Sequence, residues 1–207
     1  MPSGSAVDHT RFSSLPNVRH IIEGWFKRAL QGLDQTDADC FEPFIFGWIA
    51  FNAWGESVTD LDRDKEWVFA LSQDQRLSQA FAERVAIQGD SVTIAAERFR
   101  RYWPIPKVQD WRRRTQDRPA SVSNQDRLTF FEQHRISYEP ACAGRHGQTS
   151  SIPLDWEHFI HATYRVRCNL FHGVKSPLDP DDQIIVASAF RALVGFLERQ
   201  RIFGHSS

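Results

Sequence analysis

The chain has little cysteine and no long hydrophobic run, and both shortages exclude classes of protein. Its 207 residues include three scattered cysteines, Cys40, Cys142 and Cys168, and such an odd set does not imply a disulfide framework. The longest apolar stretch, residues 44–54, is too short to span a bilayer. The N-terminus has no basic and apolar leader of the kind found in signal peptides. We therefore expect a cytoplasmic protein with no membrane partner.

The sequence also lacks the motifs that hold common cofactors and metals. It has no glycine-rich phosphate loop, which argues against ATP hydrolysis, and no paired cysteines or His-Glu-x-x-His motif for zinc. His158 and His161 are three residues apart on a predicted helix, a spacing that permits chelation. Without further ligands, a solvated polar face is the more economical interpretation. We expect no cofactor and no metal.

The overall composition is that of a soluble globular protein, with 41% hydrophobic and 25% charged residues. The formal net charge is only −1, so the total charge indicates no polyanionic partner. The distribution of charge is uneven, however. Residues 34–90 hold twelve acidic side chains against four basic ones, whereas residues 98–118 hold eight basic against two acidic. Such asymmetry can mark a nucleic-acid face beside a solvated acidic one.

Hydrophobic periodicity predicts helices along the chain, with no competing strand pattern. We expect an all-α antiparallel bundle, with one domain over residues 15–203 after a disordered N-terminus over residues 1–14. Pro104 and Pro106 stop one helix, so residues 104–124 are expected to form a loop or long connection. The predicted helices span about residues 17–33, 40–57, 65–88 (as one or two), 90–103, 127–134, 155–172 and 179–201. The expected caps are Asn17, Asp90 or Ser91, Asp155 and Asp179.

A basic segment, residues 98–118, interleaves arginines with aromatic side chains. Arginine binds phosphate in a bidentate way, and aromatic rings stack on unpaired bases, so the segment is a candidate RNA-binding insertion. The alternative is a helix with a solvated basic face and buried aromatic rings. The arginines predicted to bind RNA are Arg98, Arg101, Arg112, Arg113 and Arg114.

Residues 164–173, with the sequence YRVRCNLFHG, close an apolar helical run that begins near Trp156. At about 100° per residue, Arg167 falls about 20° from Trp156, within the arc that should face the core. An unpaired buried charge is very costly, so Arg167 needs a partner or a cavity. Gly173 is typical of the position just past a helix end, which places His172 in the last turn. The other members of the core arc are Phe159, Ile160, Thr163, Tyr164, Val166, Leu170 and Phe171. The opposite, polar arc carries Glu157, His158, His161, Arg165, Asn169 and His172.

The predicted second helix supplies candidate partners for Arg167. This helix is apolar on nearly all sides, but the stripe that carries Asn52 and Glu56 turns polar towards its end. A buried Asn and a buried Glu need partners themselves. The economical hypothesis is that Asn52, together with Glu56, holds the Arg167 guanidinium. In the alternative, Glu56 is solvated at a frayed helix end.

The string Tyr164-x-x-Arg167-x-Asn169-Leu170-Phe171-His172-Gly173 resembles the motif of the HEPN superfamily (higher eukaryotes and prokaryotes nucleotide-binding). The resemblance implies a HEPN-type helical bundle, here with extra helices and a basic loop insertion. It also implies a metal-independent endoribonuclease, with His172 as general acid/base and Arg167 as transition-state stabiliser. Asn169 and Tyr164 would orient the substrate or the catalytic side chains. The partners implied are RNA, a second copy of the chain facing the first, and, for a toxin or phage-defence effector, a cognate inhibitor protein.

Two positions leave alternatives to this assignment. Cys168 stands where many members of the family have a small polar residue. Arg165 also lies at a spacing that the family tolerates and shares a helix face with His172, but the longer string aligns at Arg167. A structural interpretation pairs Arg167 with a carboxylate and makes His172 a helix cap. The corresponding functions are a non-catalytic HEPN module that binds RNA or nucleotide or scaffolds a partner, and a purely structural dimerisation protein.

Overall fold

Helices make up most of the computed structural model, which describes residues 7–115, 127–146, 152–173 and 175–203. The all-α prediction is confirmed, with one short addition: two strands, β1 (Ile105–Pro106) and β2 (Tyr138–Glu139), pair in antiparallel fashion. None of the helices in these ranges is long and apolar enough to cross a membrane. The helices are α1 (Pro16–Leu30), α2 (Phe41–Thr59), α3 (Asp64–Ser72), α4 (Gln75–Val85), α5 (Ser91–Arg100), α6 (Val108–Arg114), α7 (Arg127–Gln133), α8 (Ala143–His146), α9 (Trp156–Phe171) and α10 (Pro180–Arg199).

Helix α2 is central, as its apolar sequence predicts, and packs against α1, α3 and α10. Its aromatic side chains are buried together with those of α3 and α9, and the rings of Phe51 and Trp67 meet edge to face at 5.4 Å. A Cβ atom at Gly55 would lie 2.7 Å from Trp67 Cε3. The glycine therefore allows α3 to approach α2 closely enough to bury Trp67.

Aspartates fix the starts of four helices by accepting a backbone N–H from the first turn. The predicted caps Asp90, Asp155 and Asp179 are confirmed, since they accept from Val92, His158 and Asp182. The predicted cap Asn17 is wrong, because α1 already begins at Pro16, whose fixed φ suits the first helical position. Asp74 caps α4 in the same way and accepts from Leu77 at 2.8 Å. This fourth cap is what divides the predicted run over residues 65–88 into α3 and α4.

Residues 7–14, which were predicted to be disordered, pack against the helical domain. The Asp8 N–H donates to the Val58 carbonyl at 2.8 Å, and Arg11 forms an ion pair with Asp60 at 2.7 Å. Phe12 is 4% exposed and packs edge-on against Phe203. A polar segment can be anchored by one buried aromatic residue, which composition alone does not reveal. Residues 1–6 lie outside the described part of the chain.

The segment predicted as a connection over residues 104–124 is also partly regular. Residues 105 and 106 form β1, and α6 begins two residues after Pro106. The prolines end α5 as predicted, but Lys107 has an extended backbone, from which a new helix starts. Residues 116–126 lie outside the described ranges.

Candidate functional site

The C-terminal end of α9 carries the motif side chains. The helix ends at Phe171, and Gly173 follows with a positive φ of 65°, a conformation that favours glycine. This confirms the helix end predicted from Gly173. The backbone N–H of His172 donates to the Cys168 carbonyl at 3.1 Å, and the His172 residue is exposed. The imidazole is therefore presented to solvent at the tip of a well-anchored helix.

His172 lines a cleft of about 380 Å³ between α9, the start of α3 and the β1–α6 connection. Its lining is rich in positive charge, and none of the nine lining residues is acidic. Such a surface favours an anionic ligand. One of the cations, Lys107, is partly neutralised by Asp110 at 3.1 Å. The lining residues are Lys65, Lys107, Gln109, Ser137, Tyr164, Arg165, Cys168, Asn169 and His172.

Arg165 is the arginine of α9 that lines this cleft. Its side chain is 12% exposed, and its nearest carboxylate is that of Glu139, at 3.9 Å. This distance is too long for a hydrogen bond. The Nε atoms of Arg165 and Arg167 are both buried without a hydrogen-bond partner among the described residues. What distinguishes Arg165 is its place in the cleft wall and the absence of a close ion pair to Glu139.

Arg167, which the motif designates, is not among the residues that line the cleft. Its Nη1 lies 2.8 Å from Asp64 Oδ2, and its Cζ lies 4.8 Å from the centre of the Phe171 ring and 5.8 Å from that of Trp48. The guanidinium does face the protein, as the helical arc predicts. Within a single chain, however, its charge is already balanced by an acid at the start of α3.

The contacts of Asn52 and Glu56 differ from the predicted pairing with Arg167. Asn52 Nδ2 donates to Glu56 Oε1 at 2.7 Å, so these two half-buried side chains satisfy each other along α2. The carboxylate beside Arg167 is that of Asp64 instead. Sequence spacing correctly indicated that Arg167 needs a partner, but the choice among nearby acids depends on how α3 docks.

Asn169 was predicted on the polar arc of α9, yet it is 2% exposed. Its Nδ2 donates to the Pro106 carbonyl at 2.8 Å, and its Oδ1 accepts from the Val108 N–H at 3.3 Å. The side chain thus links α9 to the β1–α6 connection and holds one wall of the cleft. Phe171, predicted to face the core, is 49% exposed at the helix end.

The Asn169→Ala variant is expected to lose about 2–3 kcal/mol of unfolding free energy, because it leaves the Pro106 carbonyl and the Val108 N–H unpaired. Urea denaturation measures this loss. Asn52→Ala is the matched control. It removes the hydrogen bond to Glu56 within α2, and this loss should cost under about 1 kcal/mol. Equal losses in the two variants would contradict the linking role.

Tyr164 lies in the cleft wall, half-buried, with its ring 6.0 Å from that of Trp48. Burial raises the pKa of Tyr164 well above its usual range, and the neighbouring Cys168, with which it hydrogen bonds, adds to this effect. The phenol is therefore protonated near neutral pH. It can donate a hydrogen bond and help orient a ligand, but it cannot act as a base.

The basic segment provides exposed arginines, but three of its four aromatic side chains are buried. Phe99, Trp103 and Trp111 are buried, and Tyr102 is half-buried. These positions favour the alternative in which the aromatic rings belong to the core, and they leave only the partly exposed Tyr102 ring for the predicted base stacking.

The five arginines predicted to bind RNA are in different situations. Arg98 pairs with Asp37 at 2.6 Å, and Arg114 donates to the Arg135 carbonyl at 2.7 Å. Arg101, Arg112 and Arg113 are exposed. The last two lie on α6, whose first turn forms part of the cleft.

Two cleft residues, Lys65 and Ser137, carry no sequence signal, and Lys107 was noticed only as part of the basic segment. The Lys107 N–H donates to the Ser137 carbonyl at 2.7 Å in continuation of the β1–β2 pairing. Within the described ranges, no three His, Cys, Asp or Glu side chains converge in a way that would hold a metal ion. Comparisons with models of protein families, with curated proteins and with solved structures found no match.

Proposed function

We propose that the protein is a metal-independent endoribonuclease of the HEPN type and that the His172 cleft is its site. The observation that carries the proposal is the joint lining of this cleft by His172, Arg165 and two lysines. A histidine beside fixed positive charge is suited to phosphoryl transfer. The proposal also draws on the ten-residue string, which resembles the HEPN motif, and on the helical architecture.

The chemistry requires three contributions. A base removes the proton of the ribose 2′-hydroxyl, whose oxygen attacks the adjacent phosphorus. Positive charge stabilises the phosphorane that forms, and an acid protonates the departing 5′-oxygen, which leaves a 2′,3′-cyclic phosphate. An imidazole exchanges protons near neutral pH, and a guanidinium binds two phosphoryl oxygens at once. His172 is assigned the proton transfers, and an arginine of α9 is assigned the stabilisation.

Two arginines compete for the stabilising role. The motif favours Arg167, and the cleft favours Arg165, because Asp64 already balances the charge of Arg167 within one chain. We assign Arg165 to phosphate binding in the cleft. Arg167 then has a supporting role: through Asp64 it holds the start of α3, which carries Lys65, against α9.

A homodimer belongs to the proposal because one His172 cannot be base and acid at once. Two facing copies would supply both. The exposed Phe171, 49% accessible, and Leu178, 88% accessible, offer apolar surface close to His172 in the chain. A cognate inhibitor protein, and a toxin or phage-defence role in the cytoplasm, belong to the same proposal.

The basic end of α6 extends the proposed RNA path. The first turn of α6 lies beside the cleft, which Lys107 and Gln109 line. The seven residues of the helix span about 10 Å. Arg112 and Arg113 are exposed at its far end. Phosphate contacts at this distance would hold a neighbouring nucleotide without reading its base.

The competing proposal is a non-catalytic RNA-binding or scaffold module. Both arginines of α9 have a carboxylate nearby, Asp64 for Arg167 and Glu139 for Arg165. This arrangement favours structural roles for them. Such a module would bind RNA without cutting it.

The test is cleavage of end-labelled single-stranded RNA in the presence of EDTA. We expect 2′,3′-cyclic phosphate ends from the wild type and a loss of about a hundredfold in rate for Arg165→Ala. For Arg167→Ala we expect a smaller loss, of about tenfold or less, because its charge is shared with Asp64. The control is Arg63→Ala, which removes a side chain 82% exposed and should leave the rate unchanged.

The outcomes separate the alternatives. A greater loss in Arg167→Ala than in Arg165→Ala would return the catalytic role to the arginine of the motif. Binding without cleavage by the wild type would support the scaffold proposal. If the wild type neither binds nor cleaves RNA, both proposals fail.

A further inference from the structure

The proposed nuclease site does not use a second cluster, formed by Cys142, His158 and Asp155 at the N-terminal end of α9. Asp155 Oδ1 lies 2.6 Å from His158 Nδ1 and accepts the His158 backbone N–H at 2.9 Å. The other ring nitrogen, Nε2, lies 2.9 Å from the Cys142 sulfur. A thiol, an imidazole and a carboxylate therefore form one continuous hydrogen-bonded chain.

The hydrogen bonds fix the direction of proton transfer in this cluster. Burial would raise the pKa of Asp155, but hydrogen bonds from the side chain and backbone of His158 hold it below its usual value. An ionised carboxylate can only accept, so the proton of the neutral imidazole is on Nδ1. The lone pair of Nε2 then faces the Cys142 sulfur and can take the thiol proton. An imidazole oriented by a carboxylate is a general way to activate a nucleophile.

The charges around the cluster determine which reagents it can meet. Tyr138 of β2 interacts electrostatically with both Cys142 and Glu132 of α7. On the other side, His161 lies near His158, Glu139 and Glu157. Arg165 lies 3.9 Å from Glu139 and offsets part of this negative charge. Among the described side chains, Glu132 and Glu157 remain as the acidic neighbours, which favour neutral or cationic reagents over anionic ones. The His158 imidazolium stabilises the thiolate as an ion pair.

We propose that Cys142 is a nucleophilic modification site that forms mixed disulfides with small neutral or cationic disulfides. His158 Nε2 takes the thiol proton, and the thiolate attacks one sulfur of the reagent. A bond forms between the Cys142 sulfur and that atom as the reagent's own S–S bond breaks. The electron pair leaves with the second sulfur, which takes the proton from His158 and departs as a thiol. Cys142 is oxidised, and half of the reagent is reduced.

The other cysteines provide an internal comparison. Cys40 is fully buried, its thiol donates to the Thr36 carbonyl at 3.2 Å, and burial raises the pKa of Cys40 to about 11. Cys168 is half-buried like Cys142 but lies beside the Tyr164 hydroxyl rather than an imidazole. Cys168 shares its cleft with His172 but makes no hydrogen bond to an imidazole among the described residues. It is therefore a thiol of similar exposure without an imidazole in hydrogen-bond contact.

The experiment is alkylation with iodoacetamide at about pH 6.5, with each cysteine peptide quantified by mass spectrometry. We expect Cys142 to react about tenfold or more faster than Cys168, and Cys40 not to react on the same time scale. His158→Gln should slow Cys142 about tenfold and shift its rate profile to higher pH, while the rate of Cys168 stays unchanged. Incubation with cystamine should give a mixed disulfide at Cys142 that is reversed by a reducing agent.

Three outcomes would overturn the proposal. These are equal rates at Cys142 and Cys168 in the wild type, an unchanged pH profile of Cys142 in His158→Gln, and absence of the cystamine adduct. The comparison within the wild type does not depend on the folding of any variant. None of these measurements involves RNA, so the result stands or falls independently of the nuclease proposal.

Discussion

Replacing His172 with alanine is expected to reduce RNA cleavage by between about a hundredfold and ten-thousandfold, the usual contribution of a general acid or base. The residue is exposed and belongs to the last turn of α9. Removing its side chain takes nothing out of the core, so the unfolding free energy should change by less than about 0.5 kcal/mol. The measurement is the cleavage rate of single-stranded RNA in EDTA, together with a urea denaturation curve.

The combination of a large catalytic effect and a negligible stability effect is what distinguishes a proton-transfer residue from a helix cap. A histidine that only caps α9 through the helix dipole would change stability by some tenths of a kcal/mol and leave any cleavage rate intact. The control is His20→Ala, which removes another exposed histidine, on α1. Unaltered cleavage by His172→Ala would remove the nuclease proposal, whatever the arginine variants show.

RNA binding gives a separate result for the same variant. The cations of the cleft, Lys65, Lys107 and Arg165, remain in His172→Ala. Affinity for RNA should therefore fall by less than about threefold, because most of the binding energy comes from phosphate contacts. A parallel loss of binding and cleavage would indicate that His172 shapes the cleft rather than transferring protons in it.

The helix ends could be predicted from the sequence because their chemistry is local. A cap such as Asp155 or Asp179 acts on N–H groups within three residues of itself, and Gly173 is chosen for its own backbone angle. The position of His172 at the end of α9 follows from the same local rules. The central place of α2 follows from its own composition, since a helix that is apolar on nearly every side must be buried.

The cleft could not be predicted, because it depends on how distant segments dock. Arg165 and Arg167 lie two residues apart on α9, and ideal helix geometry placed one towards His172 and the other towards the core. It could not show that α3 would bring Asp64 to Arg167. Asn169 was misplaced for a related reason: a side chain on a polar arc is buried when an irregular segment, here the β1–α6 connection, needs its hydrogen bonds.

Trp156→Ala is expected to have the largest effect on stability, a loss of about 4 kcal/mol in unfolding free energy. Trp156 opens α9, is fully buried, and packs against the rings of Phe81 at 5.8 Å and Phe196 at 5.2 Å. Its indole Nε1 also donates to the Leu71 carbonyl at the end of α3, at 2.7 Å. The variant would lose the ring contacts and this bond together. Urea denaturation followed by circular dichroism measures the loss.

A pair of phenylalanine variants separates the hydrogen bond from the packing. Trp156→Phe removes the indole donor of the Leu71 carbonyl, which keeps only the longer bond from the Asp74 N–H at 3.2 Å. Trp67→Phe removes an indole N–H that is buried with no partner in the described part of the chain. Both variants lose similar ring volume, so Trp156→Phe should be less stable than Trp67→Phe by about 1–2 kcal/mol. Equal stabilities would show that the bond contributes nothing. In that case α9 would be held beside α3, and the Arg167–Asp64 pair kept in place, by the shape of the aromatic core alone.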